Sequence, residues 1–237
     1  MKVIVITPTY NEASNIETTI REIFKYLPEA ELLVVDDNSP DGTGHIVTRL
    51  QGEFPLLKLL RRPVKSGLGD AYLEAFTVAL NETEAEIIIT MDADGSHDPK
   101  YLPIIVESLI KTDLVIGSRY IVGGGIVNWA WYRRILSRGG NLYERWVTGL
   151  PISDLTSGYM GFRRSLLVSL EGMRNRSTHY AFLMELKYLA VKVLGASLQE
   201  VPIVFTERRE GVSKMSGAVV WESLFRPWRL RKLVSKS

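Results

Sequence analysis

The sequence predicts an α/β fold in which a mostly parallel sheet is flanked by helices. Over residues 1–120, apolar runs rich in β-branched residues alternate with segments of helical period, and polar or acidic residues follow most of these runs. The runs are KVIVIT, ELLVVD, LLKLL, EIIIT and DLVIGS. This alternation is typical of parallel strands covered by helices. Because such sheets bind ligands outside the carboxyl ends of their strands, the polar residues mark the expected binding site.

The elements can be assigned in order along the chain. KVIVIT predicts the first strand, and SNIE at residues 14–17 predicts a capping box at the start of the first helix. The apolar face of that helix consists of Ile16, Ile20, Ile23, Phe24 and Leu27. After residue 120 the alternation stops, and a glycine hinge precedes a helix that is rich in aromatic and basic residues, within NWAWYRRILSRGGNLYERW. We then expect a strand at GYMGFRR, a helix from about Ala181 to Leu194, a strand at QEVPIVF and a last basic helix.

The composition limits the class of protein. The chain has 237 residues, 46% of them hydrophobic, which is enough for one large core in a soluble globular protein. The net charge of +2 gives no global reason to expect a nucleic-acid partner. The absence of cysteine excludes disulfides, thiolate zinc sites and cysteine nucleophiles, and fits a cytoplasmic location. No apolar segment approaches the roughly 18 to 20 residues that span a bilayer, so we expect any membrane contact to be peripheral or through another chain.

The segment DADGS places two carboxylates, Asp92 and Asp94, directly after an apolar strand. Such a pair suits a hard divalent cation, Mg²⁺ or Mn²⁺, that shares its remaining sites with substrate phosphates. The alternative is that both residues cap the following turn. His97 is expected to be a hydrogen-bonded structural residue rather than a ligand. Asp98, followed by proline, is expected to begin the next helix.

Seven ordered motifs carry a family resemblance over about residues 1–217. They are TPTYNE, VVDDNSPDGT, SGLGDAY, MDADGSHDP, GSRY, DLTSGY and ERREGVSKM. In order and spacing they closely resemble the inverting family 2 glycosyltransferases, and in particular the dolichol-phosphate or polyprenol-phosphate mannose synthases. The resemblance implies a GT-A fold, GDP-mannose as the donor, a polyprenyl (dolichyl) phosphate acceptor and a divalent metal. We therefore expect residues 1–217 to form the catalytic domain, followed by a basic amphipathic segment at 218–237.

The resemblance also assigns the donor site. It places Pro8, Tyr10 and Glu12 around the nucleoside, and Val35 and Asp37 at the base and ribose. An alternative for the acids of VVDDN is a turn with local hydrogen bonds, and Glu12 could instead favour the N-terminus of the following helix.

At the diphosphate and metal, the resemblance implies Asp92, Ala93 and Asp94. Ser96 is the third implied metal ligand. Some relatives have a longer amide side chain at this position, so a water could lie between Ser96 and the metal.

Basic groups are expected to face the same phosphates, since transfer leaves negative charge on the departing nucleoside diphosphate. Arg119, Arg208 and Lys214 match basic positions of the family. The alternative for Arg208 and Lys214 is a solvated charged loop. The glycine-interrupted segment ERREGVSKMSG suggests a mobile lid over the donor.

The resemblance implies that Arg133 and Ser137, four residues apart on one face of a predicted helix, form the acceptor-phosphate site, with a helix-surface salt bridge as the competing interpretation. Asp154 corresponds to the acid that is often proposed as the base in inverting relatives. A phosphate monoester is already anionic near neutral pH, so a dedicated base is optional and Asp154 could serve for positioning. It could also simply cap a turn. The predicted catalytic residues are thus Asp94, Arg119 and Asp154.

The C-terminal segment is basic. From Glu207 to Ser237 there are eight Lys or Arg and three Glu, a net charge of +5, interspersed with tryptophan and leucine. Such a segment suits the headgroup region on the cytosolic face of a membrane, or else a helix packed on the domain with its basic face solvated. The resemblance also implies a membrane attachment, which in relatives comes from transmembrane helices or from an anchoring partner subunit.

Three other functions use similar residues. A nucleotidyltransferase usually has a glycine-rich basic loop after its first strand, where this chain has TPTYNEASN. A non-catalytic nucleotide-sugar binding module could dispense with Asp94, Arg133 and the predicted lid. A polyprenyl-phosphate glucosyltransferase with a UDP-glucose donor is the nearest alternative enzyme, since guanine over uracil is implied by the resemblance alone.

Overall fold

The predicted parallel strands form one seven-stranded sheet. A computed structural model of the chain describes residues 1–171, 181–207, 227–228 and 230–231. The strands are β1 (Val3–Thr9), β2 (Glu31–Asp36), β3 (Leu57–Arg61), β4 (Ile87–Thr90), β5 (Leu114–Ser118), β6 (Gly125–Val127), β7 (Met160–Arg163), β8 (Leu198–Pro202) and β9 (Val204–Thr206). The strand order in the large sheet is β3-β2-β1-β4-β7-β5-β8, and only β7 is antiparallel to its neighbours. Strands β6 and β9 pair in a separate two-stranded sheet.

Helices cover both faces of the large sheet. They are α1 (Ile16–Tyr26), α2 (Thr43–Leu50), α3 (Leu68–Glu82), α4 (Leu102–Ser108), α5 (Trp131–Thr148), α6 (Arg164–Glu171) and α7 (Ala181–Tyr188). A 3-10 turn at Pro99–Tyr101 precedes α4, and a π-helical turn at Leu189–Val193 continues α7. The predicted helices at NWAWYRRILSRGGNLYERW and at about residues 181–194 are therefore confirmed.

The core consists of two apolar layers, one on each face of the sheet. Alternate residues of β1 enter different layers, Ile4 and Ile6 with α3, α6 and α7, and Val3 and Val5 with α1, α2 and α4. This division follows from the period of two in a strand. The α/β prediction with a mostly parallel sheet flanked by helices is confirmed.

Two local predictions are wrong. Ser14 does not cap α1, because the N-cap is Asn15 and no side chain caps the helix there. The Asn15 side chain instead donates to Glu12 Oε2 at 3.0 Å. The expected single strand QEVPIVF is two strands, because the chain leaves the large sheet at Ile203 and pairs with β6 beyond it.

The end of the chain is described at four positions, two of which show how it meets the domain. Leu230 is buried in the core layer that contains α3, and Trp228 is partly exposed against α5. Packing on the domain, one of the two interpretations of the tail, therefore holds for Leu230. The predicted boundary between residues 217 and 218 lies outside the described residues. Within the described part of the chain, no helix has the length and apolar character needed to cross a membrane.

Candidate active site

The candidate site lies where the strand order of the large sheet reverses. Strands β2 and β3 extend from β1 to one side, whereas β4 and the later strands lie on the other. In open parallel sheets, ligands bind in the crevice at this reversal, outside the carboxyl ends of the strands. The predicted residues at 8–12, 36–37, 92–94 and 119 lie at the carboxyl ends of β1, β2, β4 and β5. The topology thus brings these four groups to one edge.

The loops after β1 and β2 are bonded to each other. The backbone N–H of Glu12 donates to Thr43 Oγ1 at 3.0 Å, and the backbone N–H of Ala13 donates to Asp41 Oδ2 at 2.9 Å. Asp41 also accepts from the backbone N–H of Thr43, and its pKa is lowered because these hydrogen bonds outweigh its burial. These bonds fix the loops after β1 and β2 relative to each other at this edge of the sheet.

Asp36 belongs to the local turn after β2. Its carboxylate accepts from Thr9 Oγ1 at 2.9 Å and from the backbone N–H of Ser39 at 3.0 Å. The alternative interpretation, a turn with local hydrogen bonds, is therefore confirmed for Asp36.

Asp37, predicted at the ribose, is buried in an ion pair with Arg62. Arg62 also binds Glu74, with Nε 2.7 Å from Oε2. Burial raises the pKa of Asp37 and Arg62 only partly opposes this. A ribose hydroxyl at Asp37 would therefore meet a carboxylate already oriented by an arginine.

The remaining predicted donor residues differ in exposure. Pro8 and Tyr10 are partly exposed, and Lys65 Nζ lies 3.7 Å from the centre of the Tyr10 ring. The Val35 side chain is in the core, and the Ala93 side chain is buried beside the strand residues of the other layer. The side chains of these two residues therefore do not face the crevice, and the Ala93 carbonyl accepts from the Thr19 hydroxyl at 3.0 Å.

The DADGS segment forms a tight turn after β4. The backbone N–H of Asp92 donates to His97 Nδ1, and Asp94 Oδ1 accepts from the backbone N–H and the hydroxyl of Ser96, at 3.0 and 2.5 Å. His97 is buried and stacks on Tyr159 at 4.9 Å between ring centres, which confirms its structural role. Asp98 accepts from the backbone N–H of Lys100 at 3.0 Å, so it begins the next helical turn as predicted.

The carboxylate oxygens of this turn are suitable ligands for a hard divalent cation. The Asp92 side chain is 36% exposed at the crevice, and Asp94 follows it with two oxygens, one of which is held by Ser96. The described residues contain no group of three or more His, Cys, Asp or Glu side chains that could hold a metal by themselves. Two carboxylates that need phosphate and water oxygens to complete the shell are what Mg²⁺ commonly uses.

Arg119 and Asp154 form a buried bidentate pair. Arg119 Nε and Nη2 lie 2.6 and 2.7 Å from the two carboxylate oxygens of Asp154, and the backbone N–H of Arg119 donates to the same carboxylate at 3.0 Å. Burial disfavours the charged form of Asp154, but Arg119 outweighs this and lowers the pKa of the carboxyl. The Asp154 carboxylate is thus ionised, and both of its oxygens accept hydrogen bonds from Arg119. Such a carboxylate is better suited to holding Arg119 in position than to accepting a proton.

An aromatic platform joins Arg119 to the predicted acceptor site. The Arg119 guanidinium carbon lies 5.9 Å from the centre of the Trp129 ring, and that of Arg133 lies 4.7 Å from it. Phe205 packs against Trp129, and also against His97 in the turn that carries the two acids. Sequence reasoning missed Trp129 and Phe205, although the first is part of an aromatic cluster that it noted.

The predicted acceptor residues are partly exposed and have protein partners. Arg133 Nη1 lies 2.5 Å from Glu207 Oε1, and Ser137 accepts from the Tyr120 hydroxyl at 2.6 Å. The partner of Arg133 is thus far along the chain, not on the same helix. Arg208, Lys214 and the predicted lid after Glu207 lie outside the described residues.

The family model for glycosyl transferase family 2 matches residues 4–170. The chain belongs to glycosyl transferase family 2. Of two bacterial relatives, the undecaprenyl-phosphate mannosyltransferase of Micrococcus luteus is 41% identical over 224 residues, 94% of this chain and 91% of the relative. The polyprenol monophosphomannose synthase of Mycolicibacterium smegmatis is 40% identical over 234 residues, 97% and 88% of the two chains. The dolichol-phosphate mannosyltransferase of Pyrococcus furiosus is 35% identical over 243 residues, 98% of this chain and 64% of the relative.

Solved structures show the same fold for this glycosyltransferase. The glucosyl-3-phosphoglycerate synthase of Mycobacterium tuberculosis, in complex with Mn²⁺, uridine diphosphate and phosphoglyceric acid, superposes with a TM-score of 0.69 at 20% identity. The match covers 96% of this chain and 78% of that chain. The predicted GT-A fold is therefore confirmed, and the family match and the named mannosyltransferase relatives confirm the predicted enzyme class.

Proposed function

We propose that this glycosyltransferase transfers mannose from GDP-mannose to a polyprenyl (dolichyl) phosphate, with inversion at the anomeric carbon. The relatives that cover nearly the whole chain are named for mannose transfer to such lipid phosphates. The observation that carries the proposal is the arrangement of two acids and two arginines. Asp92 and Asp94 follow β4, and the guanidinium groups of Arg119 and Arg133 both lie over the Trp129 ring of the aromatic platform. The acids suit a metal-bound diphosphate, and the arginines suit a phosphate monoester.

The reaction is a displacement at C1 of the mannose. A phosphate oxygen of the acceptor attacks C1 while the bond from C1 to the diphosphate oxygen breaks, and its electron pair leaves with GDP. The acceptor oxygen is already anionic, so no residue has to remove a proton. A divalent metal held by Asp92 and Asp94 would neutralise charge on the departing diphosphate. Asp154 orients Arg119, and the buried Arg119 supplies fixed positive charge to the phosphates.

We also propose that helix α5 contacts the membrane that contains the acceptor. Its buried face is largely polar and includes Asn141, Glu144 and Thr148. Its large apolar side chains are exposed instead: Trp131, Tyr132, Ile135, Leu136, Leu142 and Trp146. Among the described residues, only Trp228 packs on this exposed apolar face, which is larger than scattered surface apolar residues would give.

The charges on α5 favour a lipid surface as its partner. Arg134, Arg138 and Arg145 are exposed on the same helix. With about 100° per residue, they lie at one edge of the stripe that contains Trp131 and Trp146. Arginines beside exposed tryptophans suit a headgroup interface with anionic lipids. Trp228 extends this surface, since its ring packs on Trp146 at 6.0 Å between centres.

The same helix contains the predicted acceptor residues. Arg133 and Ser137 lie on α5 and are partly exposed, and the Arg133 guanidinium lies over the Trp129 ring. A helix seated in the headgroup region would therefore bring a lipid phosphate within reach of Arg133 while the isoprenoid chain remains in the bilayer. This assigns membrane contact to α5 in addition to the C-terminal segment.

The function is tested by acceptor-dependent release of nucleotide. The protein is incubated with GDP-mannose, Mg²⁺ or Mn²⁺, and either a polyprenyl phosphate or the matching polyprenol without phosphate. We expect GDP release only with the phosphate, and a product with the opposite anomeric configuration by NMR. A parallel competition with UDP-glucose distinguishes the nearest alternative. Preference for UDP-glucose, or release that ignores the acceptor, would overturn the proposal.

A further inference from the structure

Lys187 is a fully buried lysine whose ammonium contacts the loop that contains Asp154. Its ammonium, on α7, donates to the backbone carbonyl oxygens of Leu155 and Ser157, at 2.6 and 2.7 Å. Neither the predicted site nor the displacement step uses this residue. Because a buried ammonium is costly unless it is paired, its position requires an explanation.

Two further buried or partly buried side chains hold the same loop, residues 153–158. Glu200 on β8 accepts from the backbone N–H groups of Ser153 and Asp154, at 2.9 and 3.2 Å. Asn141 on α5 accepts from the backbone N–H of Leu155 at 2.7 Å. Lys187 thus supplies the donors for the carbonyls of a loop whose N–H groups are bound by other side chains.

The loop at 153–158 lies between Arg119 and the acid pair, Asp92 and Asp94. At one end, Asp154 binds Arg119. At the other end, a Cβ added to Gly158 would lie 3.9 Å from Asp92 Oδ1. A displacement of this loop would therefore change the distance between Arg119 and the acid pair.

Charges from several elements face Lys187. They are Asp154 in the loop, Glu144 on α5, Glu200 on β8 and Arg119 after β5. Burial lowers the pKa of Lys187 to about 8, and Asp154 and Glu144 oppose this shift. Glu144 Oε2 is buried and has no hydrogen-bond partner among the described residues.

We propose that Lys187 is a positioning residue that fixes the loop at 153–158, and through Asp154 the guanidinium of Arg119, for the transfer step. The ammonium satisfies two buried carbonyls and faces the carboxylate of Asp154 and the side chain of Glu144. The proposal rests on the proposed function only in that glycosyl transfer is one of its readouts.

The main test compares Lys187→Met with Lys192→Met, since Lys192 lies five residues later and is exposed. In Lys187→Met we expect kcat to fall at least tenfold, with GDP binding by calorimetry within about threefold of wild type. Hydrogen–deuterium exchange over residues 153–158 should become faster, and this readout needs no substrate. In Lys192→Met, both should match wild type. Unchanged exchange and unchanged kcat in Lys187→Met would overturn the proposal.

A second variant covers the case in which Lys187→Met fails to fold. Burial lowers the pKa of Lys187 and the Glu144 charge opposes this, so Glu144→Gln should move the alkaline limb of the kcat profile to lower pH. A limb that stays in place would overturn the proposal. If wild type transfers no mannose from GDP-mannose, the proposed function fails while the exchange experiment still decides the role of Lys187.

Discussion

The guanidinium of Arg119 holds both carboxylate oxygens of Asp154, at 2.6 and 2.7 Å, with Asp154 fully buried. Asp154→Asn removes the negative charge and leaves the arginine buried without its counter-ion. Breaking such a pair typically costs about 3 to 5 kcal/mol of folding free energy. We expect a loss of that order in denaturant unfolding at pH 7, together with at least tenfold slower transfer.

The effect of Asp154 should also depend on pH. The pKa of Asp154 is lowered in the folded state, so its contribution to stability is present above about pH 4 and lost as the pH falls through the folded value. Wild type and Asp154→Asn should therefore converge in stability in acid. Asp70→Asn, at a partly exposed position of α3, is the matched control. A variant as stable and active as wild type at pH 7 would contradict the assigned role.

Asp94 is predicted to hold the metal and diphosphate. Asp94→Ala should reduce transfer by at least about a hundredfold, because it removes charge stabilisation worth several kcal/mol in the transition state. Asp94→Asn keeps an oxygen for Ser96, so it separates loss of charge from loss of the turn. Rates should be measured at limiting Mg²⁺ or Mn²⁺. Near-normal rates in folded Asp94→Asn would exclude the metal assignment.

Arg133 is predicted to bind the acceptor phosphate. Arg133→Ala should raise KM for the polyprenyl phosphate about tenfold or more and change GDP binding by less than twofold. Glu207 occupies the Arg133 guanidinium, so Glu207→Gln should lower the acceptor KM. Acceptor kinetics and calorimetry with GDP separate the two sites. Equal losses for donor and acceptor in Arg133→Ala would place this residue at the donor.

The sequence predicted the sheet and the order of the site residues because both depend on local patterns. The apolar runs mark the strands, and parallel strands that share one edge bring their following residues together. The Ser14 capping box failed because Asn15 bonds back to Glu12, a contact that depends on the fold of the preceding loop. The partner of Arg133 is 74 residues away, so no helix pattern could indicate it.

Lys187 and α5 were harder to interpret for a related reason. The sequence shows Lys187 within the apolar segment AFLMELKYLA, but it does not show that the ammonium is buried. Its burial follows from the packing of the loop at 153–158, whose carbonyl oxygens accept from it. The stripe containing Trp131 and Ile135 would ordinarily be assigned to the core, whereas the structure exposes it. Which face of a helix is covered depends on what packs against it, and a periodic pattern cannot distinguish a protein core from a lipid surface.

Glu144 should make the stability of the protein depend on pH. Burial raises its pKa from 4.5 to about 7, with Lys187 only partly opposing the shift. The folded state therefore binds a proton that the unfolded state has released, and stability falls as the pH rises from about 4.5 to about 7. Glu144→Gln should remove a decrease on the order of 3 kcal/mol. Unfolding of wild type, Glu144→Gln and the exposed control Glu29→Gln at pH 5 and 8 would show it, and equal pH dependence in all three would contradict it.

The exposed face of α5 should bind anionic membranes without spanning them. Each arginine near an anionic leaflet contributes on the order of 1 kcal/mol, which salt screens, while inserted apolar side chains add a contribution that salt does not weaken. We therefore expect flotation with anionic liposomes to fall as salt rises but not to vanish. Trp131→Ser combined with Leu136→Ser should abolish the salt-resistant part, because both residues are more than 70% exposed.

Ile110→Ser, at an exposed apolar position away from α5, is the matched control, and Lys232→Ser with Lys236→Ser tests the C-terminal segment separately. If the α5 double variant floats as wild type does while the tail variant does not, the C-terminal segment alone is the membrane contact, and the acceptor phosphate has to approach Arg133 from that side.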